Sequence, residues 1–355
     1  MTTTRDLLAT VLDGGTPERT PFLVHSWFYT AGGYPKFEEW KPLFDRGLGI
    51  FHSCPTVKHI EHGVENTFKK WVEAGAEHVL HSKKTEVGTV QNVKAYSLGA
   101  DSGEMGWTVE EWIKGPEDYK TFQWICEHTE LVPQYETFAA DEEKIGDYGV
   151  TVASGSRTPA MSICVDLAGT ELFCMDVAEE LDELFGLYQA LLNLFIAETR
   201  LIAKGPGRIV KWNENLTISV LGPDRYRRLM MPVYQQAVPI LESAGKRALV
   251  HYDGALKVIS DQVAIAPFHI IESLTEPPEG DMMYDQCRAA WPDKAFCANI
   301  NVDLYSLPPE ELRETVIAKR ERAGKKALAF AISEDVPKNW REIIPVVLET
   351  LEELN

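Results

Sequence analysis

Several polar residues stand where short apolar runs stop. His251 and Asp253 follow the run 247–250, Glu272 follows 268–271, Asn299 follows 295–298, and Glu334 follows 327–332. Imidazole nitrogen and carboxylate oxygen are good zinc ligands. Carboxylates gathered in one pocket repel each other unless they are protonated, paired or given a cation. Taken singly, each residue has an ordinary explanation: a hydrogen-bonded histidine, a glutamate capping a helix, an Asp-Gly turn at 253–254. Their shared placement is what points to a metal or a catalytic pocket. Glu214, between Asn213 and Asn215 after the run 208–212, would orient substrate or add a ligand; the other reading is a loop residue in water. His25, Trp27 and Tyr29 belong to a polar and aromatic cluster after the run 22–24. They would wall a site for a flat molecule, although Trp27 and Phe28 suit simple core packing equally. Cys54, Cys126, Cys164, Cys174 and Cys287 show no C-x2-C spacing, Cys297 falls inside an apolar run, and no glycine-rich phosphate loop indicates a nucleotide.

The elements that must hold these residues follow one rhythm. Apolar runs at 208–212, 247–250, 268–271, 295–298 and 327–332 alternate with helical patterns at 224–244, 256–263, 284–290, 309–323 and 339–354. Runs this short, without polar alternation, suit parallel strands buried on both faces. Further strands at 22–24, 49–52 and 150–153 bring the number to eight. The expectation is a (β/α)8 TIM-type barrel with its site at the C-terminal strand ends; the alternative is a doubly wound open sheet. Residues 77–147 break the rhythm, with a hairpin of 77–82 and 90–94, and read as an insertion covering the barrel mouth within one domain, 1–355.

Composition narrows the partners. A net charge of −19 opposes nucleic-acid and anionic-membrane binding. The start reads as an amphipathic helix, not a signal peptide, and no run is long and apolar enough for a membrane span. Six scattered cysteines suit reduced thiols and a cytoplasmic setting.

The run HYDGALKVISDQVAIAPFHIIESLTEPP at 251–278, together with Ala298-Asn299 and Ile332-Ser333-Glu334-Asp335-Val336-Pro337, resembles the uroporphyrinogen-decarboxylase-like superfamily. The resemblance covers most of the chain, best from Gly205 onward. It implies a (β/α)8 barrel, and either a decarboxylase or a zinc methyltransferase serving a corrinoid protein, with a homodimer common in the superfamily. The decarboxylases carry an arginine- and glycine-rich N-terminal motif; the matching HSWFYTAGGYPKF has no arginine. The thiol-activating methyltransferases use His-x-Cys after strand five, a glutamate after strand six and a cysteine after strand eight. Here those places hold His251-Tyr252-Asp253, Glu272, and Ser333 or Glu334. Oxygen and nitrogen ligands leave zinc more electrophilic than thiolates do, which suits an alkoxide or phenoxide leaving group. The resemblance therefore implies the substrate-side methyltransferase of an O-demethylase system, acting on a methoxylated small molecule.

On this reading His251 and Glu272 bind zinc, and Asp253 and Glu334 compete for the third place. A carboxylate is a better ligand than the Ser333 hydroxyl, which favours Glu334 and leaves Asp253 a catalytic role beside Glu214. His25, Trp27, Tyr29 and Asn299 would shape the substrate pocket. The acceptor would be a corrinoid on a separate protein or a folate. The competing readings are a metal-free decarboxylase using Arg157 and a catalytically silent ligand-binding barrel.

Overall fold

The computed structural model describes residues 2–30, 36–96, 106–216, 218–332, 335, 336 and 338–354. Eight parallel strands close into a barrel: β1 (Phe22–His25), β2 (Leu48–Pro55), β3 (Gly149–Gly155), β4 (Ile209–Trp212), β5 (Arg247–His251), β6 (Ile270–Leu274), β7 (Ala295–Ile300) and β8 (Leu328–Ile332). Each strand pairs with its sequence neighbours, and β8 closes on β1 through Phe22 opposite Phe330. All eight expected strands are present, so the open-sheet alternative falls. Helices run between them on the outside, including Asp182–Lys204, Met231–Ser243 and Pro309–Ala323.

Side-chain alternation splits every strand between two environments. Outward residues such as Val24, Ile50, Val210, Val250 and Phe330 join the helix-facing core. Inward residues Leu23, Phe51, Val152, Ile209, Leu249, Ile270, Cys297 and Ala329 fill the barrel. The helix Thr4–Leu12 joins this inner cluster through Leu8, Val11 and Leu12. Burying each such side chain contributes about 1.5–3 kcal/mol. A capping box fixes the start of this helix: Thr3 Oγ1 accepts from the Asp6 amide, and the Asp6 carboxylate accepts from the Thr3 amide.

The insertion begins earlier than expected, directly after β2. Strand Val57–Glu61 pairs antiparallel with Thr129–Pro133. A four-stranded antiparallel sheet follows, of Glu65–Glu73, Ala76–Lys84, Thr89–Tyr96 and Trp107–Glu110. The expected hairpin is its centre, with Lys84 opposite Thr89. The helix Pro116–Glu127 packs this unit against Asp182–Lys204, on the flank of the barrel.

Gly149 opens β3 opposite Ile50 of β2. A Cβ there would lie 1.9 Å from the Ile50 carbonyl oxygen, which is backbone and cannot rotate away. Gly149→Ala should therefore destabilise the barrel by about 3 kcal/mol, the upper end of ordinary overpacking costs. Urea unfolding followed by circular dichroism measures it; an unchanged midpoint would show that β2 and β3 separate freely.

Candidate active site

One further step along each strand turns the barrel interior from apolar to polar. Above the Leu23–Phe51–Leu249 level stand His25, Ser53, Ser154, Lys211, His251 and Asn299, all lining a cavity of about 510 Å³ at the C-terminal mouth. Glu272 occupies the same level on β6, but it is fully buried and not among the lining residues.

Glu272 is the centre of a charge cluster. Its Oε2 lies 2.9 Å from Lys211 Nζ and 2.5 Å from His251 Nδ1, and its Oε1 lies 2.9 Å from His25 Nε2. Burial pushes the Glu272 carboxyl up, but His251, Lys211 and His25 together hold it well below the usual carboxylate range. Burial lowers His25. Burial also works against a charged His251, yet Glu272 and Asp253 carry it to about 9. The other ring nitrogen of His251, Nε2, stands 3.5 Å from Asp253 Oδ2. Asn215 Nδ2 approaches the same Asp253 oxygen at 3.4 Å, and Arg157 holds Asn215 by donating to its Oδ1 at 2.8 Å.

Two lining residues without the freedom of glycine adopt positive φ: Asn215 at 50° and Ser273 at 67°, the latter at a register shift in β6 after Glu272. Such strain is kept where surrounding contacts over-determine it, commonly at functional sites. Asn299 helps hold this bend, its amide donating to Ser273 Oγ at 2.9 Å and Thr275 Oγ1 at 3.1 Å.

At the mouth, one pair of donor atoms has the spacing of two ligands on a single metal ion. Two zinc ligands at ~2.0–2.2 Å and a tetrahedral angle stand roughly 3.4 Å apart. His251 Nε2 and Asp253 Oδ2 are 3.5 Å apart and both residues line the cavity. Behind them, Glu272 takes the Nδ1 side of His251, as outer carboxylates do for metal-bound imidazoles. This placement differs from the expected ligand set. Glu272, expected on the metal, stands behind the cavity wall, with Oε2 on Lys211 and His251 and Oε1 2.9 Å from His25. Asp253, expected as catalytic or as the third ligand, lines the cavity beside His251. Glu334 and Ser333 lie outside the described residues.

Other expectations need correction. Tyr29 does not reach the cavity: its ring packs against Phe37 and Phe44 in the core. Trp27 does line the cavity and stacks on Phe28 at 3.9 Å. Glu214 is fully buried and absent from the lining, because Asn213 and Asn215 on either side take the cavity face. Its Oε2 accepts from the Thr158 amide and hydroxyl, and its Oε1 from Tyr234, which meets Tyr252 at 2.9 Å. Among the described residues of 57–148, none lines the mouth; those of the insertion, expected over it, wall a separate cavity of about 290 Å³ with His59, Lys83, Trp112 and Cys126. Lys211 was not anticipated. Its one signal is a lysine inside the apolar run Ile-Val-Lys-Trp, where burial on both faces demands a partner.

Burial pushes Glu214 up from 4.5 to about 7 against the lowering effect of its donors. A carboxyl with a raised folded-state pKa holds its proton more tightly when folded. Its contribution is complete below about 4.5 and is lost as pH rises through about 7. From pH 4.5 to 8 the native chain should lose on the order of 3 kcal/mol that Glu214→Gln does not lose. Denaturant midpoints of both proteins across that range test this; parallel curves would contradict it.

No family model matches this sequence, and no curated protein matches it. Among solved structures the chain is similar over 100% of its length to 99% of a methyltransferase from Methanosarcina mazei, with a TM-score of 0.61 and 10% identity. A B12-independent methionine synthase from Shewanella sp. aligns over 70% of this chain and 71% of its own, with a TM-score of 0.42 and 10% identity. A D-psicose 3-epimerase aligns over 94% of this chain and 96% of its own, with a TM-score of 0.42 and 8% identity. At the identity of the Methanosarcina match, the likeness establishes a shared barrel fold along the whole chain.

Proposed function

We propose that this chain is a zinc-dependent methyltransferase that removes the methyl group of a methoxylated small molecule and passes it to a corrinoid carried by a separate protein. The observation that carries the reading is the pair His251 Nε2 and Asp253 Oδ2, 3.5 Å apart at the cavity, with Glu272 fixing the other nitrogen of His251. The full-length likeness to a methyltransferase supports the same reaction class.

A zinc ion held by His251, Asp253 and a further donor such as Glu334 would act as a Lewis acid toward the ether oxygen, easing its departure as an alkoxide or phenoxide. The protein's own groups do the rest. Glu272 sets the tautomer and orientation of His251, so that Nε2 presents its lone pair to the cavity when the ring is neutral. Lys211 balances Glu272, so a metal at the mouth meets a carboxylate already compensated behind it. Trp27 offers a flat wall for an aromatic ring, and Asn215 holds the Asp253 oxygen in place. The decarboxylase reading needs cations facing a polycarboxylate. Arg157 is spent on Asp166 and Asn215 and is absent from the mouth lining, and Lys211 is paired with Glu272.

The test loads the chelator-treated chain with zinc and offers methoxylated aromatic and aliphatic donors to cob(I)alamin, with tetrahydrofolate as a parallel acceptor. Methylcobalamin should form with at least one donor. His251→Ala should abolish turnover, and Glu272→Gln should lower zinc affinity or rate by about 10–100-fold, the usual cost of losing an outer-shell partner. Methyl transfer to tetrahydrofolate alone would overturn the corrinoid assignment. Zinc-independent turnover, or no product with either acceptor, would overturn the reading.

A further inference from the structure

The strand that supplies Phe51 and Ser53 to the mouth carries a second chemistry on its other face. His52 and Cys54 alternate with those residues along β2 and point away from the cavity, toward the helix Tyr135–Ile145. Asp141 of that helix meets them. His52 Nε2 lies 2.9 Å from Asp141 Oδ2, and the Cys54 thiol, which donates to the Pro55 carbonyl at 3.7 Å, stands near the same carboxylate. One donor atom each from His52, Cys54 and Asp141 fall within 4.8 Å of one another. The remaining nitrogen of His52, Nδ1, is 2.7 Å from Ser26 Oγ, on the turn after β1.

The geometry points to a second metal site, a zinc site of His52, Cys54 and Asp141 on the outer wall of the barrel, distinct from the one at the mouth. Three features favour zinc. A thiolate, an imidazole and a carboxylate form a mixed sulfur, nitrogen and oxygen set that suits zinc, whereas magnesium and calcium take oxygen ligands. Their charges close: one thiolate and one carboxylate cancel a divalent cation with the imidazole neutral. Ser26 also supplies the outer partner that metal-bound histidines use, accepting from His52 Nδ1 when Nε2 is on the metal. Binding replaces the Cys54 S–H bond with a metal–sulfur bond and releases one proton to solvent; no electron is transferred. A solvent water completes the fourth position.

The alternative use of these residues is a thiol nucleophile activated by a His–Asp pair, and the structure opposes it. Cys54 is 1% exposed, on the face of β2 turned away from the mouth cavity, which leaves its sulfur out of reach of a substrate there. His52 and Asp141 retain exposed edges, which gives an ion a way in. The ion would tie the helix Tyr135–Ile145, where the chain returns from the insertion, onto β2 and through Ser26 to β1. Its role is structural. The sequence signal is the His-x-Cys spacing at 52–54, which places both ligands on one strand face.

Cobalt(II) is the probe, because a cobalt–thiolate bond gives a charge-transfer absorption in the near ultraviolet. No cysteine is found among the residues lining the mouth cavity. Chelator-stripped full-length chain titrated with cobalt should develop this band, saturating within two equivalents because the mouth takes an ion of its own. The band should vanish in Cys54→Ser and remain in His251→Ala, whose loss is confined to the mouth. Cys54 is a core position, so Asp141→Asn, at a half-exposed helix site, provides the second variant. It should weaken cobalt binding at this band by at least about tenfold while the fold, read by circular dichroism, is kept. Absence of the band in the native chain, its persistence in Cys54→Ser, or unchanged affinity in folded Asp141→Asn would each overturn the proposal. Loss of the band in His251→Ala would show that the thiolate belongs to the mouth, and would overturn it too.

Discussion

A fully buried carboxylate, Glu272, sets the terms for the rest of this barrel. An uncompensated charge in that position would cost far more than the whole fold is worth. Compensation comes from His25 on β1, Lys211 on β4 and His251 on β5. No two of these residues are close in sequence, and only a closed barrel brings β1 and β4 to opposite sides of one β6 side chain. Removing one member of such a cluster leaves the others buried without a partner, at about 3–5 kcal/mol by analogy with broken buried pairs. The cluster therefore demands the barrel as much as the barrel positions the cluster, and His251 inherits an orientation set by three other strands.

The same strand ends serve two purposes because adjacent residues face opposite ways. His251 turns inward to Glu272, while Tyr252 turns outward into a buried hydroxyl chain with Tyr226 and Tyr234 that ends on Glu214. Asn213 and Asn215 face the cavity, while Glu214 between them goes behind the wall. Phe51 and Ser53 line the mouth, while His52 and Cys54 meet Asp141 outside it. At these three places an inward polar residue is backed by an outward one with its own hydrogen bonds, which limits how far the site can relax there.

The barrel was legible because its strands are short apolar runs separated by helical patterns, and burial on both faces leaves that mark in the sequence. The start of the insertion was not legible, since strands Val57–Glu61 and Glu65–Glu73 are largely open to solvent and carry no clear apolar alternation. That His251, Asp253 and Asn299 line the mouth with Glu272 behind them follows from the convergence of strand ends in a barrel, but sequence shows which residues arrive at the mouth and not which stands in front. Tyr29 and Glu214 were misplaced for one reason: neighbours in sequence on a strand end or a tight turn are seldom neighbours in direction. Lys211 was missed because a charge inside an apolar run reads as an interruption until its partner, Glu272 two strands away, is known.

The flank cavity, walled in part by the insertion, is linked to the site from the side. Arg157 stands between the two cavities: it walls the flank cavity, binds Asp166 there at 2.9 Å, and donates to Asn215 at the mouth. Asn215 in turn approaches the Asp253 oxygen that faces His251. Asn215 holds a strained backbone, so its position depends on contacts rather than on local preference. The guanidinium, planar and forked, is the side chain suited to fixing two partners at once. The distance between His251 and Asp253 is therefore set from two directions, by Glu272 from beneath the cavity and by Arg157 from the flank. That double constraint holds the His251 ring and the Asp253 carboxylate 3.5 Å apart at the cavity.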